Sequence, residues 1–201
     1  MIRGAQQADW QDITDIYTIA RSFMRQVGNP TQWGEKNPDP AVIRRDMAQG
    51  NFYVLEREGR VQAVFSFLPG EDPTYGEIDG AWLSDGPYCT IHRVASRGEA
   101  HGLTGEIFNW CMDRCGHLRI DTHADNKPMQ RAIEKFGFVY CGIIKAHDGT
   151  PRIAFEKIKQ PSQTGPLLSK KRPGFIWNWT YSQIKNCRGS ISTVAFRVRG
   201  S

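Results

Sequence analysis

The stretch TIHRVASRGEAHGLTGEIFNWCMDRC, Thr90 to Cys115, decides how the rest of the chain is read. Thr90 to Ala95 is a strand-like run. Ser96, Gly98 and Gly102 break it, and an amphipathic helix follows with Leu103, Ile107, Trp110 and Cys111 at i, i+4, i+7 and i+8. Strand, glycine-bearing loop and helix can hold a phosphate: the loop brings backbone N–H groups close, and the helix N-terminus adds unpaired donors and a partial positive charge. The same glycines also serve a plain turn, so the stretch is read both ways until a second one bears on it.

Working outward, the N-terminal side predicts a short strand at Ile2–Arg3, then a helix over Asp9–Val27 capped by Asp9 or Asp12. Gly28-Asn29-Pro30 ends that helix, and a polar loop to Pro40 carries Trp33 in its middle. A second helix runs Pro40–Gln49. Asn51–Leu55 and Val61–Leu68 form a hairpin around Glu58-Gly59, with Val61, Ala63, Phe65 and Phe67 on one buried face. Pro69–Gly86 reads as an irregular, acidic loop. On the C-terminal side come a strand Leu118–His123, a short helix Lys127–Lys135, and an antiparallel pair, Phe138–Lys145 with Ile153–Lys157. The order predicts an α/β (α+β) domain, a mixed sheet with helices on its faces.

Hydrophobic residues make up 39% and charged residues 23% of the 201, a globular balance. No apolar run approaches the ~18 residues of a membrane helix, and the first ten residues hold no apolar signal core. The expectation is a cytoplasmic protein with no membrane partner, monomeric or homodimeric. Five cysteines without a CxxC pair argue against a disulfide framework. Cys111 and Cys115, with His117 and His123 downstream, are read as buried thiols on a helix face, and no metal is expected. The net charge of +5 is unevenly placed: residues 161–201 hold seven of the 26 basic residues and none of the 21 acidic ones. The domain boundary is therefore put at 159, with a basic extension over 160–201. The extension interleaves basic charge with aromatics, those of FIWNWTY among them, and admits nucleic-acid binding.

A second block, DTHADNKPMQRAIEKFGF from Asp121 to Phe138, gives a strand end, Asn126, a short helix and Gly137-Phe138. Together the two blocks resemble the GNAT superfamily of acyl-CoA-dependent N-acetyltransferases, over about residues 1 to 158. IHRVAS, RIDTH-DN and EKFGF are similar to a bacterial branch of small acetyltransferases. The resemblance implies a mostly antiparallel central sheet flanked by helices. It also implies acetyl-CoA as co-substrate and an amine as acceptor. With Gly102 at the centre of the family's loop, the helix stays in phase, while Glu99 and Thr104 depart from the pattern at its ends. The other register, Arg97 to Gly102, puts Ala100 at the centre.

In the preferred register the pyrophosphate rests on the amides of Ala100, His101, Gly102, Leu103, Thr104 and Gly105, with Arg97 as countercharge. The resemblance also places the pantetheine arm along Arg93, Val94 and Ala95 and an oxyanion donor at the N–H near Val94, with Asn126 closing the site. The loop between the first two helices would line the acceptor pocket through Asn29, Gln32 and Trp33, joined by Glu77 and Trp82. Acetylating an amine needs a base, because a lysine-like ammonium has a pKa near ~10.4. His92 and His123 are the candidates, with Asp121 on His123's face to orient it. The family's tyrosine acid falls on Ile133, leaving Tyr140 as a substitute donor. The rival readings are a non-catalytic acyl-CoA-binding or regulatory module, and a nucleic-acid-associated protein acting through its basic tail.

Overall fold

The structure is a computed structural model that describes residues 1–160. The basic extension and the nucleic-acid reading attached to it lie outside the described residues, from 161 on. The elements are β1 (Ile2–Gly4), α1 (Trp10–Gln26), α2 (Pro40–Ala48), β2 (Phe52–Arg57), β3 (Arg60–Pro69) and β4 (Ile78–Gly80). They continue with β5 (Cys89–Ser96), α3 (Leu103–Cys115), β6 (His117–Thr122), α4 (Lys127–Phe136), β7 (Val139–Lys145) and β8 (Pro151–Ile158). The strands form one mostly antiparallel sheet in the order β1-β2-β3-β5-β6-β8-β7-β4.

Alternation along the strands divides the core between the two faces of the sheet. One face sets Phe65, Phe67, Ile91, Leu118 and Ile120 against Leu103, Ile107, Phe108 and Cys111 of α3 and Ile133 of α4. The other sets Val54, Val64 and Ala95 against Ile13, Ile16 and Tyr17 of α1 and Ile43 of α2. Tyr75, Tyr88, Ile144 and Ala154 form a third cluster. Asp39 caps α2 by accepting the N–H of Ala41. Asp9 and Asp12 do not cap α1. Asp9 takes two hydrogen bonds from the Arg3 guanidinium and one from the N–H of Gln6, and Asp12 pairs with Arg97.

The acidic loop expected at Pro69–Gly86 is partly ordered structure. A 3-10 turn spans Pro73–Tyr75, and β4 pairs with β7 at the sheet edge. Two glycines permit that pairing: a Cβ on Gly80 would lie 2.1 Å from the carbonyl oxygen of Cys141, and one on Gly142 2.2 Å from that of Asp79. Behind the loop, the fully buried Glu156 accepts from Arg119 at 2.9 Å and from the N–H of Leu83, and meets His117 at 2.5 Å.

Two irregularities in β5 open the sheet. β5 and β6 are parallel, and their pairing stops at Ile91↔Ile120, after which they diverge. On the other side β5 pairs with β3 as Ser66↔His92 and then Val64↔Ala95, so an extra residue bulges out at Arg93–Val94. Arg93 holds φ at +57°, an uncommon setting for a residue with a side chain.

Candidate functional site

Where β5 leaves β6, a cleft of about 680 Å³ opens. Its walls are Val94, Ala95 and Ser96 of β5, the loop to α3, the start of α4 with Asn126, Pro128 and Met129, the end of α1, and Trp33. Most of the expected cofactor residues come together here: Val94, Ala95, Ala100, His101, Leu103, Thr104 and Asn126. Gly102 is the N-cap of α3 in the left-handed region, φ +78°, and no side chain caps the helix. The first intrahelical bond runs from Glu106 N–H to Gly102 C=O, so the amides of Leu103, Thr104 and Gly105 have no helical partner. Glu99 turns away from them and pairs with Arg60 at 2.9 Å.

Arg97 is not the free countercharge the sequence suggests. Its side chain is buried, with Nε donating to the carbonyl of Val61 at 2.8 Å and Nη2 paired with Asp12. Beyond the bulge the strand's parity shifts by one residue, which turns Ala95 and Arg97 toward α1. The bulge is itself held in place. Tyr17 donates its hydroxyl to the carbonyl of Arg93 at 2.8 Å, and the Arg93 guanidinium reaches the buried Asp46 at 2.7 Å, which also accepts from Ser66 at 2.7 Å.

The residues of the loop between α1 and α2 meet α4. Asn126 caps that helix by accepting the N–H of Met129, and its amide nitrogen donates to Gln32 Oε1 at 3.0 Å. The same oxygen accepts from Asn29 at 2.7 Å. Trp33 packs edge-on to Tyr17, with ring centroids 5.5 Å apart.

On the face of the sheet that carries Tyr75 and Tyr88, next to the point where β5 and β6 part, His92 stands between two carboxylates. Nε2 lies 2.8 Å from Asp72 Oδ2, and Nδ1 lies 3.6 Å from Asp121 Oδ1. Tyr75, fully buried, donates its hydroxyl to Asp121 at 2.8 Å, and burial pushes its own pKa well up. Burial alone would raise the Asp72 carboxyl, but hydrogen bonds from His92 and Thr74 outweigh it and hold Asp72 well below the usual carboxylate range. No described Lys or Arg pairs with Asp72 or Asp121. Asp121 therefore serves His92 and not His123, whose Nδ1 instead accepts the N–H of Asp125 at 3.2 Å. Asp72 is the residue the sequence reading missed. The Asp-Pro-Thr turn around it is a local signal, but the partner 20 residues away is not.

Two expected residues, Tyr140 and Glu77, stay apart from this group, and a third, Trp82, touches it only through Tyr75. Tyr140 is 58% exposed on β7, with Phe155 as its ring neighbour. Glu77 is exposed. Trp82 is a packing piece that stacks near Tyr75, lies under the Arg119 guanidinium and donates to the carbonyl of Tyr75. Ile133 is fully buried in the core. Among the described residues no cluster could hold a metal ion, and no helix is long and apolar enough to cross a membrane.

No protein-family model matches the chain, and no curated protein matches it. Solved structures do. A GNAT-family acetyltransferase from Streptococcus agalactiae is 28% identical at a TM-score of 0.74, over 80% of this chain and 96% of that one. A GNAT-family acetyltransferase from Listeria monocytogenes is 16% identical at 0.60, over 79% of this chain and 94% of that one. A ribosomal-protein-alanine N-acetyltransferase from Brucella melitensis is 23% identical at 0.53, over 79% of this chain and 99% of that one. The last two bear on the fold alone.

Proposed function

We propose that this chain, which has the fold of the GNAT-family acetyltransferases, moves an acetyl group from acetyl-CoA to a primary amine of a small molecule or protein. One observation carries the reading: the cleft between the parting strands ends at an uncapped helix N-terminus behind a left-handed glycine. Such a terminus suits a pyrophosphate, with free N–H groups and the positive end of the helix dipole. The cleft is large enough for a pantetheine arm, and β5 beyond Ile91 has no strand opposite it on the β6 side to compete for its edge.

His92 is the proposed base. An ionised Asp72 can only accept, so in the neutral imidazole the proton sits on Nε2 and the lone pair on Nδ1. Nδ1 would take the proton of the acceptor ammonium, and Asp121 beyond it would stabilise the imidazolium. The amine then attacks the thioester carbonyl; as the tetrahedral intermediate collapses the carbon–sulfur bond breaks, and the surplus proton on the nitrogen passes to the departing sulfur or to water. A thiolate of pKa about 8.5 can leave without a dedicated acid, which fits the interior position of Ile133. That buried Ile133 is also what favours the second reading, a CoA-binding module that does not acylate. Release of CoA from acetyl-CoA across a panel of amines separates the two. Amine-dependent release is expected, and tight binding without release under any amine supports the module.

A further inference from the structure

We propose that Cys115 and Cys89 form a peroxide-reactive thiol pair, in which hydrogen peroxide oxidises Cys115 and Cys89 resolves the product to a disulfide between α3 and β5. The pair stands apart from the cleft and does not rest on the acyl-transfer reading. The fold brings the two residues together. Cys89 opens β5 and is the register partner of Leu118 across the parallel junction with β6. Cys115 is the last residue of α3, and Gly116, left-handed at φ +73°, turns the chain at once into β6. That turn folds Cys115 back over the first residue of β5. Both side chains pack in the cluster between α3 and the sheet.

The two thiols are in contact. The Cys115 S–H donates to the carbonyl of His117 at 3.1 Å, which leaves its sulfur lone pairs to accept, and Cys89 supplies that hydrogen bond. The bond from Cys89 draws the Cys115 thiol below its ordinary value, against the opposing effect of burial. Access separates their roles. Cys115 is partly exposed, whereas Cys89 is only 5% exposed. Cys111 is no rival, because it is fully buried and burial pushes its thiol well up. It also sits four residues from Cys115 on the same helix, where Cβ atoms stand about 5–6 Å apart, beyond the usual disulfide span of about 3.5–4.5 Å.

In the first step the Cys115 thiolate attacks one peroxide oxygen. A sulfur–oxygen bond forms, the O–O bond breaks, and the hydroxide that leaves is protonated to water. The Cys89 sulfur then attacks the sulfenic sulfur of Cys115. The S–S bond forms, the sulfur–oxygen bond breaks, and a second water leaves with the Cys89 proton. Two thiols are oxidised and one peroxide is reduced to two waters. The bond lies at the far end of α3, about 20 Å from Gly102, so it joins β5 to α3 without entering the phosphate end of the cleft.

The test treats the reduced full-length chain with stoichiometric hydrogen peroxide, blocks remaining thiols, and digests with trypsin without reductant. Arg60, Arg93, Arg97, Arg114 and Arg119 place Cys89, Cys111 and Cys115 in three different peptides. The expected product is peptide 115–119 joined to peptide 61–93, lighter than their sum by two hydrogens and separated by dithiothreitol. A bond made between thiols already in contact carries little strain, so the oxidised protein should melt about 5 °C above the reduced one. Cys89→Ser should leave Cys115 as a sulfenic acid that dimedone labels, and Cys115→Ser should leave Cys89 unlabelled. Cys115 unmodified in the wild type, or joined to any cysteine other than Cys89, overturns the assignment. Dimedone labelling of Cys89 in Cys115→Ser, or an oxidised protein that melts no higher than the reduced one, overturns it as well.

Discussion

Replacing His92 by glutamine leaves an amide that can still donate to Asp72 and takes away the basic Nδ1. Amine-dependent CoA release should fall by about 10²-fold or more, the usual contribution of a positioned base, while desulfo-CoA affinity stays at the wild-type value. A variant that keeps full activity would remove His92 from proton transfer. At Gly102 the prediction concerns the cofactor. A Cβ there would meet nothing within 4 Å, so alanine costs only its left-handed φ of +78°, about 1–2 kcal/mol. A phosphate lying on the amides of α3 would meet that methyl group. Gly102→Ala should therefore lower acetyl-CoA affinity by more than its melting curve explains. Unchanged affinity in the folded variant would move the phosphate to the other loop register. His92 could be picked out as a candidate because it lies on the strand that runs into the glycine loop, which is a short-range pattern. Its partner Asp72 was not, since the contact depends on how an 18-residue acidic loop folds back. Arg97 was misplaced for a different reason: a bulge built on Arg93 rather than on glycine leaves no mark in the sequence, yet it reverses which face every later residue of the strand takes.

The β5 bulge depends on α1 and α2 as well as on its own strand. Asp46 joins the Arg93 guanidinium to the Ser66 hydroxyl at 2% exposure. Asp46→Ala strands both groups and should cost about 3 kcal/mol, the usual result of removing one partner of a buried ion pair, read as a shift of the denaturation midpoint. A cost below 1 kcal/mol would mean the bulge holds without it. The Glu156 cluster gives a pH test. Burial alone would raise that carboxyl, yet the hydrogen bonds from His117 and Arg119 hold it below its ordinary value. Its folded pKa thus lies below the unfolded one. The stabilisation is complete above the unfolded value, near ~4.3, and is lost as pH falls toward the folded value. Glu156→Gln should flatten the acid side of the stability curve, and an acid slope equal to the wild type's would contradict that. Most elements were legible from periodicity, within a residue or two at the ends. β4 was not, because three residues at a sheet edge carry no alternation, and its glycine reads equally well as a loop.

Residues 1–160 close their own sheet. β8 ends at Ile158, and Lys159 is tied back through its N–H to the carbonyl of Gly116 and through its side chain to Asp113. A chain ending at Gln160 should keep its melting temperature within about 2 °C, a fraction of a kcal/mol at this size, together with its affinity for acetyl-CoA. Loss of folding would place residues beyond 160 in the core. The fold of the whole was legible because two short blocks, each a strand, a turn and a helix, fix the centre of the sheet. The acceptor was not, because the loops proposed to receive it carry no periodic signal. The most direct test is calorimetric titration of the full-length chain with desulfo-CoA, which retains the pyrophosphate contacts but cannot react. Saturable one-to-one binding that is weakened by Gly102→Ala and untouched by His92→Gln is the predicted result. No heat of binding, and no rise in melting temperature at saturating desulfo-CoA, would contradict a CoA site in this cleft.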